Sequence, residues 1–248
     1  MTPALRVQGL SHRFGGLQAV NAVSFDVGVG TRAAIIGPNG AGKTTLFHLI
    51  SGELLPTSGQ IWAFGRDITR MSAHRRAAVG LGRTYQLTTL FPRLTVLENI
   101  LLGVQALERT RYVALRPLRT FTRLYDRARE LLDPLDLWAV RDAAVAQLSY
   151  GEQRQLEIAL ALATRPRLLL LDEPTAGLSP AETQRVLGII RELPREITIL
   201  LIEHDMAVVF GTCERIVVLH QGEVVADGAP DEVAGDRRVQ EIYLGVRR

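Results

Sequence analysis

A stretch of nine residues has the composition and spacing of a phosphate-binding loop. Residues 37–45 read Gly-Pro-Asn-Gly-Ala-Gly-Lys-Thr-Thr, which fits the pattern G-x-x-x-x-G-K-[ST]. Glycines let a turn direct its N–H groups at an anion, and the N-terminus of a following helix adds donors and partial positive charge. Lys43 would contact the outer phosphates of a nucleotide, and the Thr44 hydroxyl would ligate Mg²⁺. The loop therefore predicts binding of a nucleoside triphosphate.

Lysine occurs in this chain only within that loop. The sequence has 29 Lys plus Arg residues, and Lys43 is the single lysine among them. A compact, flexible ammonium suits a phosphate site better than a planar guanidinium does. The residues predicted to surround the triphosphate are Gly37, Asn39, Gly40, Ala41, Gly42, Lys43, Thr44 and Thr45.

Two adjacent carboxylates follow a run of four leucines at 168–171. A run of this length and composition predicts a strand that is buried on both faces. Asp172 would hold the hydration shell of Mg²⁺ opposite Thr44. Because side chains alternate along a strand, Glu173 should face away from Asp172, where it could accept a proton from an attacking water.

Three further features each allow a functional and a purely structural interpretation: an aromatic residue, a histidine and a capping box. Phe14 stands beside two glycines and could stack on a purine ring, or it could be a core or hairpin aromatic. His204 follows an apolar strand that should lie near Asp172, although a histidine there is often structural. Ser149 and Glu152 fit a capping box, which marks either an ordinary helix start or a second helix N-terminus directed at phosphate.

The elements that must position these residues can be read from hydrophobic spacing. An apolar run at 33–36 predicts a strand before the loop, and apolar residues at helical spacing over 46–50 predict a helix after it. A second buried strand is predicted over 197–202. Thr95 and Glu98 form another capping box, and it opens a segment of arginine-rich helical pattern.

Composition sets limits on the class of protein. The chain has 248 residues, of which 47% are hydrophobic, so it can bury an ample core. A net charge of +3 does not by itself indicate nucleic-acid binding. The single cysteine excludes an internal disulfide. Without a signal-peptide pattern or a run of 18 apolar residues, the expectation is a soluble chain that does not span a membrane by itself.

Taken in order, these motifs resemble those of the ATP-binding-cassette (ABC) ATPases across essentially the whole chain. Residues 37–45 match the Walker A loop, residues 149–153 match the signature loop, and residues 168–172 match the Walker B strand. Phe14 matches the adenine-stacking aromatic, and Gln86 matches the Q-loop glutamine. Glu173 matches the catalytic glutamate, and His204 matches the switch histidine. The resemblance implies that Gln86 touches Mg²⁺ and faces a transmembrane partner.

The chain also departs from the usual family pattern. In the signature loop Tyr150 replaces the first glycine and Glu152 the glutamine, and the D-loop at 176–179 lacks its aspartate. Several departures resemble the ATPase subunits of branched-chain amino acid importers. That likeness lies in residues 83–86, 148–151, 176–180, 202–206 and 243–245.

The resemblance implies a fold, partners and a mechanism. The fold would be α/β, with a P-loop NTPase core (RecA-like), an N-terminal antiparallel β subdomain and an inserted α-helical subdomain. As one ABC ATPase domain over 1–248, the chain would have its catalytic core in 1–88 and 165–248 and its helical subdomain in about 89–164. Two subunits, of the same or a homologous chain, would pair head to tail with ATP and Mg²⁺ between them.

In such a dimer each ATP lies between Lys43 of one subunit and Ser149, Gly151 and Glu152 of the other. The partners would be integral-membrane permease subunits, with no nucleic acid expected, and the chain would be peripheral on the cytoplasmic face of the inner membrane. Alternative interpretations are an ABC ATPase for another small solute, such as urea or an aromatic acid, or a soluble non-transport ABC ATPase. A small-molecule P-loop kinase would leave residues 149–153 and His204 unexplained.

Overall fold

The computed structural model of the protein describes residues 2–84, 90–106 and 122–244. These residues are divided between two compact units. We call them the sheet unit (Met1–Leu81, Arg167–Glu173 and Pro194–Arg248) and the helical unit (Gly82–Pro166 and Pro174–Leu193). The predicted boundaries at 88/89 and 164/165 stay a prediction.

Ten strands and nine α-helices are assigned among the described residues. The strands are β1 (Leu5–Phe14), β2 (Leu17–Val27), β3 (Arg32–Ile36), β4 (Ser58–Ala63), β5 (Arg66–Asp67), β6 (Leu81–Arg83), β7 (Leu168–Asp172), β8 (Thr198–Ile202), β9 (Arg215–His220) and β10 (Glu223–Gly228). The helices are α1 (Lys43–Ser51), α2 (Ala73–Val79), α3 (Val96–Gln105), α4 (Thr122–Leu132), α5 (Tyr150–Ala163), α6 (Pro180–Glu192), α7 (Met206–Thr212), α8 (Pro230–Gly235) and α9 (Arg237–Leu244).

The strands form two sheets of different character. A four-stranded antiparallel sheet has the order β2-β1-β4-β5, and a six-stranded sheet has the order β10-β9-β3-β8-β7-β6. In the second sheet β3 is parallel to β8 and β9, and β7 is parallel to β8. Every residue of β3, β7 and β8 is buried, as the apolar runs predicted. The predicted α/β class with an antiparallel β subdomain is confirmed.

The last two strands form a hairpin. β9 and β10 are antiparallel, and the turn between them consists of Gln221 (φ 50°) and Gly222 (φ 83°). Positive φ at both central residues is the geometry that matches the twist of a two-residue hairpin.

Helix α1 is fixed in the sheet unit at its side and at its C-terminus. Leu46, Phe47, Leu49 and Ile50 are fully buried in a core that includes side chains of β3, β7 and β8. At the C-terminal end, the buried guanidinium of Arg76 donates to the carbonyls of Leu49 (2.6 Å) and Ile50 (2.7 Å). Burial lowers the pKa of Arg76 to about 10. The loop before α1 is therefore attached to a well-anchored helix.

The helical unit has its own apolar core, formed by buried side chains of α3, α4 and α5. Helices α3 and α5 begin where the capping boxes predicted, at Thr95 and Ser149, and α6 begins with a further capping box at Ser179. Gln86 and the arginines at 109, 111, 116 and 119 lie outside the described residues. In the portions of the chain that are described, no helix combines the length and apolarity needed to cross a membrane.

Candidate functional site

Three parallel strands of the sheet unit end at the same edge, and the predicted site residues follow them. Ile35 of β3 is paired with Ile202 of β8, and Ile202 is paired with Asp172 of β7. The phosphate-binding loop, Glu173 and His204 come directly after these three strand ends. In open parallel sheets the carboxyl ends of the strands are where ligands bind. The sheet therefore places together the residues that sequence reasoning selected separately.

The loop between β3 and α1 is built around glycines, two of which lie too close to neighbouring backbone for a side chain. Gly37, Gly40 and Gly42 have φ values of 151°, 78° and 100°. A Cβ at Gly37 would overlap the carbonyl oxygen of Leu219, and one at Gly42 would overlap that of Ala19. A Cβ at Gly40 would have no heavy atom within 4 Å. The backbone at Gly37 and Gly42 is thus held against neighbouring backbone, whereas Gly40 faces open space.

The different surroundings of Gly40 and Gly42 predict that alanine at the two positions will lower thermal stability by different amounts. Gly42→Ala and Gly40→Ala both force alanine into a positive φ, but only Gly42→Ala also meets a backbone oxygen. We expect Gly42→Ala to be the less stable variant by about 1–3 kcal/mol, because overpacking against fixed backbone adds to the conformational strain. In a chain of this size that is a further fall in Tm of about 2–4 °C per kcal/mol. Circular-dichroism melting without nucleotide measures it, and equal Tm values would contradict it.

Lys43 lies inside the loop that precedes it. Its side chain is buried, and Nζ donates to the carbonyl of Gly37 (2.7 Å) and to that of Pro38 (3.1 Å). Burial lowers the pKa of Lys43, and the negative charge of Glu173 opposes that effect. The ammonium is therefore held within the loop by two backbone carbonyls.

The N-terminus of α1 fits a phosphate group. This helix has no side-chain cap and no acidic residue in its first turn. In contrast, α3, α5 and α6 each begin with a capping box that includes a glutamate. Because the first N–H groups of a helix have no partner within it, the start of α1 presents donors and partial positive charge to an anion. Thr44, in this first turn, is exposed.

Asp172 and Glu173 differ in backbone as well as in burial. Asp172 is the last residue of β7 and only 2% exposed, whereas Glu173 lies beyond the strand and is half-buried. Glu173 has φ 45°, in the left-handed region, and its N–H donates to the carbonyl of Ile202 (3.0 Å). Glu173 is not in the strand, so the strand alternation that was expected to turn it away from Asp172 does not apply to it. Strained non-glycine backbone of this kind concentrates at functional sites.

His204 is exposed at the end of β8, next to a carboxylate that sequence reasoning missed. Glu203 is fully buried, and its Oε2 accepts from the N–H of His204 (3.3 Å) and lies 3.8 Å from Nδ1 of the His204 ring. The next residue, Asp205, caps α7 by accepting from the N–H of Ala207 (2.8 Å). The available signal was an acid directly after a largely apolar strand, and Glu203 accepts a hydrogen bond from the His204 backbone.

The signature-like residues form the start of α5 in the helical unit. Oγ of Ser149 accepts from the N–H of Glu152 (3.2 Å), and Oε2 of Glu152 accepts from the N–H of Ser149 (2.8 Å). Ser149 is exposed and Gly151 is buried. The capping box is confirmed, and the role of Ser149, Gly151 and Glu152 toward phosphate stays a prediction.

Phe14 remains available for stacking in this structure. It is the last residue of β1 and 49% exposed, and its ring meets that of His12 edge-on with centroids 4.5 Å apart. An aromatic ring with this exposure has a face that a base could cover. Packing in a core is thereby excluded for Phe14. The hairpin alternative stands beside the stacking role, because Phe14 pairs with Leu17 at the turn between β1 and β2.

Two family models match this chain. The model described as "ABC transporter" matches residues 20–176. The model described as "Branched-chain amino acid ATP-binding cassette transporter" matches residues 223–248.

Curated relatives match over nearly the full length. The "High-affinity branched-chain amino acid transport ATP-binding protein" BraF of Pseudomonas aeruginosa is 41% identical over 98% of each chain. LivG of Escherichia coli K12, which carries the same description, is 40% identical over 98% of each chain. The "Lipopolysaccharide export system ATP-binding protein" LptB of Acidithiobacillus ferridurans is 38% identical over 99% of this chain and 98% of its own.

Solved structures share the fold. The ADP conformation of MJ1267, described as an ATP-binding cassette of an ABC transporter, has a TM-score of 0.87 at 30% identity and covers 99% of this chain and 100% of its own. A dimeric post-hydrolysis state of the ATP-binding cassette MJ0796, bound to ADP and Pi, has a TM-score of 0.78 at 25% identity over 91% of this chain and 98% of its own.

Proposed function

Because the chain belongs to the ABC transporter family and is an ATPase, we propose that it is the subunit that energises an importer of branched-chain or related amino acids. The observation that carries the proposal is the convergence of the phosphate-binding loop, Glu173 and His204 at one edge of the parallel sheet. Phosphoryl transfer needs little covalent chemistry from the protein, so positioned charges and donors of this kind suffice for catalysis.

Different residues of the chain bind the nucleotide, activate water and stabilise charge during hydrolysis. The loop N–H groups and Lys43 bind the β- and γ-phosphates, and Phe14 stacks on the adenine. Glu173 orients the attacking water and accepts its proton, while His204 stabilises charge on the γ-phosphate. Thr44, Asp172 and Gln86 would hold Mg²⁺, which neutralises phosphate charge when it is bound.

A second ATPase subunit completes each nucleotide site in this proposal. Ser149, Gly151 and Glu152, at the start of α5, would meet the triphosphate held by the phosphate-binding loop of the partner. The dimeric state reported for the related cassette MJ0796, with ADP and Pi, supports pairing of this kind. Closure would depend on the γ-phosphate because it bridges the two subunits, and hydrolysis would remove the bridge.

The membrane-spanning partners in this proposal are separate permease subunits, and Gln86 and the helical unit face them. The ATPase is then peripheral on the cytoplasmic face of the inner membrane. Names of the relatives support this arrangement, since both BraF and LivG are described as transport ATP-binding proteins.

The choice of substrate class rests on the C-terminal region. LptB, an ATP-binding protein of a lipopolysaccharide export system, is nearly as similar to this chain as BraF and LivG. The match of residues 223–248 to the branched-chain amino acid family model favours amino acids over lipopolysaccharide. Another small solute, such as urea or an aromatic acid, is the alternative because the ATPase does not touch the cargo.

Solute uptake tests the proposed function directly. Cells that lack this gene should lose energy-dependent uptake of leucine, isoleucine and valine. A plasmid copy of the wild-type chain should restore uptake, and a Glu173→Gln copy should not. Radiolabelled urea and phenylalanine serve as control solutes. If the deletion strain took up branched-chain amino acids normally but lost uptake of urea or phenylalanine, the solute whose uptake was lost would become the proposed cargo in place of branched-chain amino acids. Normal uptake of all of them would contradict the role in import.

A further inference from the structure

The ring of Tyr150 packs on the segment that follows Glu173. Tyr150 is the first residue of α5 and is 44% exposed. Its Cε1 atom lies 3.2 Å from the point where a Cβ of residue 177 would stand, and residue 177 is a glycine with φ 77°. The ring therefore leaves room for glycine and little more. We call this packing the Tyr150–Gly177 contact.

The orientation of Tyr150 is fixed from the next turn of α5. Nη2 of Arg154 donates to the Tyr150 hydroxyl (3.1 Å), and the guanidinium lies 5.3 Å from the ring centroid. Arg154 is held in turn by Glu157, with Nη1 to Oε2 at 2.7 Å, and the two side chains are 6% and 4% exposed. A buried, paired guanidinium is a rigid support because separating the pair would leave an uncompensated charge.

A second attachment joins the same two segments. The Oε2 atom of Glu182 accepts from the N–H (2.9 Å) and the hydroxyl (2.6 Å) of Ser179, at the end of the segment after Glu173. The same carboxylate lies against the first turn of α5, where a Cβ at Gly151 would come within 2.6 Å of its Oε1 atom. Residues 174–179 are thus held to the start of α5 at both Gly177 and Ser179.

We infer that Tyr150 is a positioning residue for ATP hydrolysis, which acts by holding residues 174–179 against the start of α5 through the Tyr150–Gly177 contact. The inference rests on the proposed function, in which the start of α5 meets the nucleotide of the partner subunit. Residues 174–179 continue directly from Glu173, so their position constrains the backbone that carries the base. The contact links arrival of the partner's triphosphate at α5 to the placement of Glu173.

A double-mutant cycle tests the contact without relying on one variant. Tyr150→Gly removes the ring, and Gly177→Ala adds a methyl group that would press on the ring. The positive φ of residue 177 strains alanine equally with and without the ring, so it cancels in the cycle. We expect each single variant to lower kcat for ATP about fivefold or more. Because the methyl group has room once the ring is gone, Tyr150→Gly/Gly177→Ala should retain at least several-fold more kcat than the product of the two single effects. Additive losses in kcat would overturn the inference.

Nucleotide affinity and stability separate positioning from a merely structural role. ATP affinity of the isolated subunit should stay within about twofold of wild type in all three variants, because the phosphate-binding loop belongs to the sheet unit, whereas Tyr150 and Gly177 belong to the helical unit. Tyr150→Phe keeps the ring and loses only the Arg154 hydrogen bond, so its kcat should lie between wild type and Tyr150→Gly. A fall in Tm with unchanged kcat per folded molecule would also overturn the inference.

The outcome is distinguishable from a failure of the proposed function. If the Glu173→Gln variant hydrolysed ATP as fast as wild type, the proposed role of Glu173 would fail, whatever the double-mutant cycle showed. Turnover that depends on Glu173, together with no coupling between positions 150 and 177, would leave the function standing and reject Tyr150 as a positioning residue.

Discussion

The Glu173→Gln variant is expected to bind ATP and to hydrolyse it at least about a hundredfold more slowly than wild type. The amide has the size of the carboxylate but cannot accept a proton, and a positioned general base contributes about 10²–10⁴ in rate. Neither the left-handed backbone at residue 173 nor its N–H bond to Ile202 depends on the carboxylate. Steady-state phosphate release measures the loss.

The same variant should accumulate as a dimer with ATP, because in the proposed dimer the γ-phosphate would bridge the two subunits and is no longer removed. Light scattering with size-exclusion chromatography distinguishes monomer from dimer. Glu192→Gln is the matched control, since Glu192 is an exposed acid at the end of α6, and it should hydrolyse ATP normally. Unchanged hydrolysis in Glu173→Gln would refute the assignment of Glu173, and ATP stably held by a monomer would refute the shared site.

The Lys43→Ala variant is expected to lose ATP affinity by about one to two orders of magnitude. A hydrogen bond to a charged group contributes about 1.5–3 kcal/mol, and every 1.4 kcal/mol is tenfold in affinity. Lys43→Arg should also bind weakly despite its charge, because Nζ now fits between the carbonyls of Gly37 and Pro38, and a planar guanidinium is a different shape. Equilibrium titration with a fluorescent ATP analogue measures both variants.

A surface cation provides the comparison for Lys43. Arg70→Ala also removes one positive charge from the sheet unit, at an exposed residue between β5 and α2, and should bind ATP as wild type does. If Lys43→Ala bound ATP normally, the phosphate role of the loop would have to be abandoned. If Arg70→Ala were equally weak, the effect would be one of net charge and not of Lys43.

Local chemistry explains which parts of the fold were predictable. The capping boxes at Thr95, Ser149 and Ser179 fix helix starts through neighbours three residues away. The Gln221–Gly222 turn and the four-leucine strand are likewise set by adjacent residues. The order of the strands was not predictable in the same way, because β1 pairs with β4 and β3 with β9 across long stretches of chain.

The site was predictable in its residue types and less so in its geometry. The pattern at 37–45 selects the phosphate-binding loop because glycine and lysine there have few substitutes. The backbone of Glu173 was misjudged, since alternation applies only within a strand and β7 ends one residue earlier. The Tyr150–Gly177 contact joins positions far apart in the sequence, and no local rule connects an exposed tyrosine with a glycine in another segment.

The placement of Lys43 has a practical consequence for chemical labelling. Since the sequence has no other lysine, its ε-amine is the only one in the protein, and it lies within the phosphate-binding loop. An acylating reagent that is specific for ε-amines can therefore modify this folded chain only at Lys43, in the proposed nucleotide site. Protection of that amine would report occupancy by ATP in an unmutated protein, and conjugation through lysine would inactivate it.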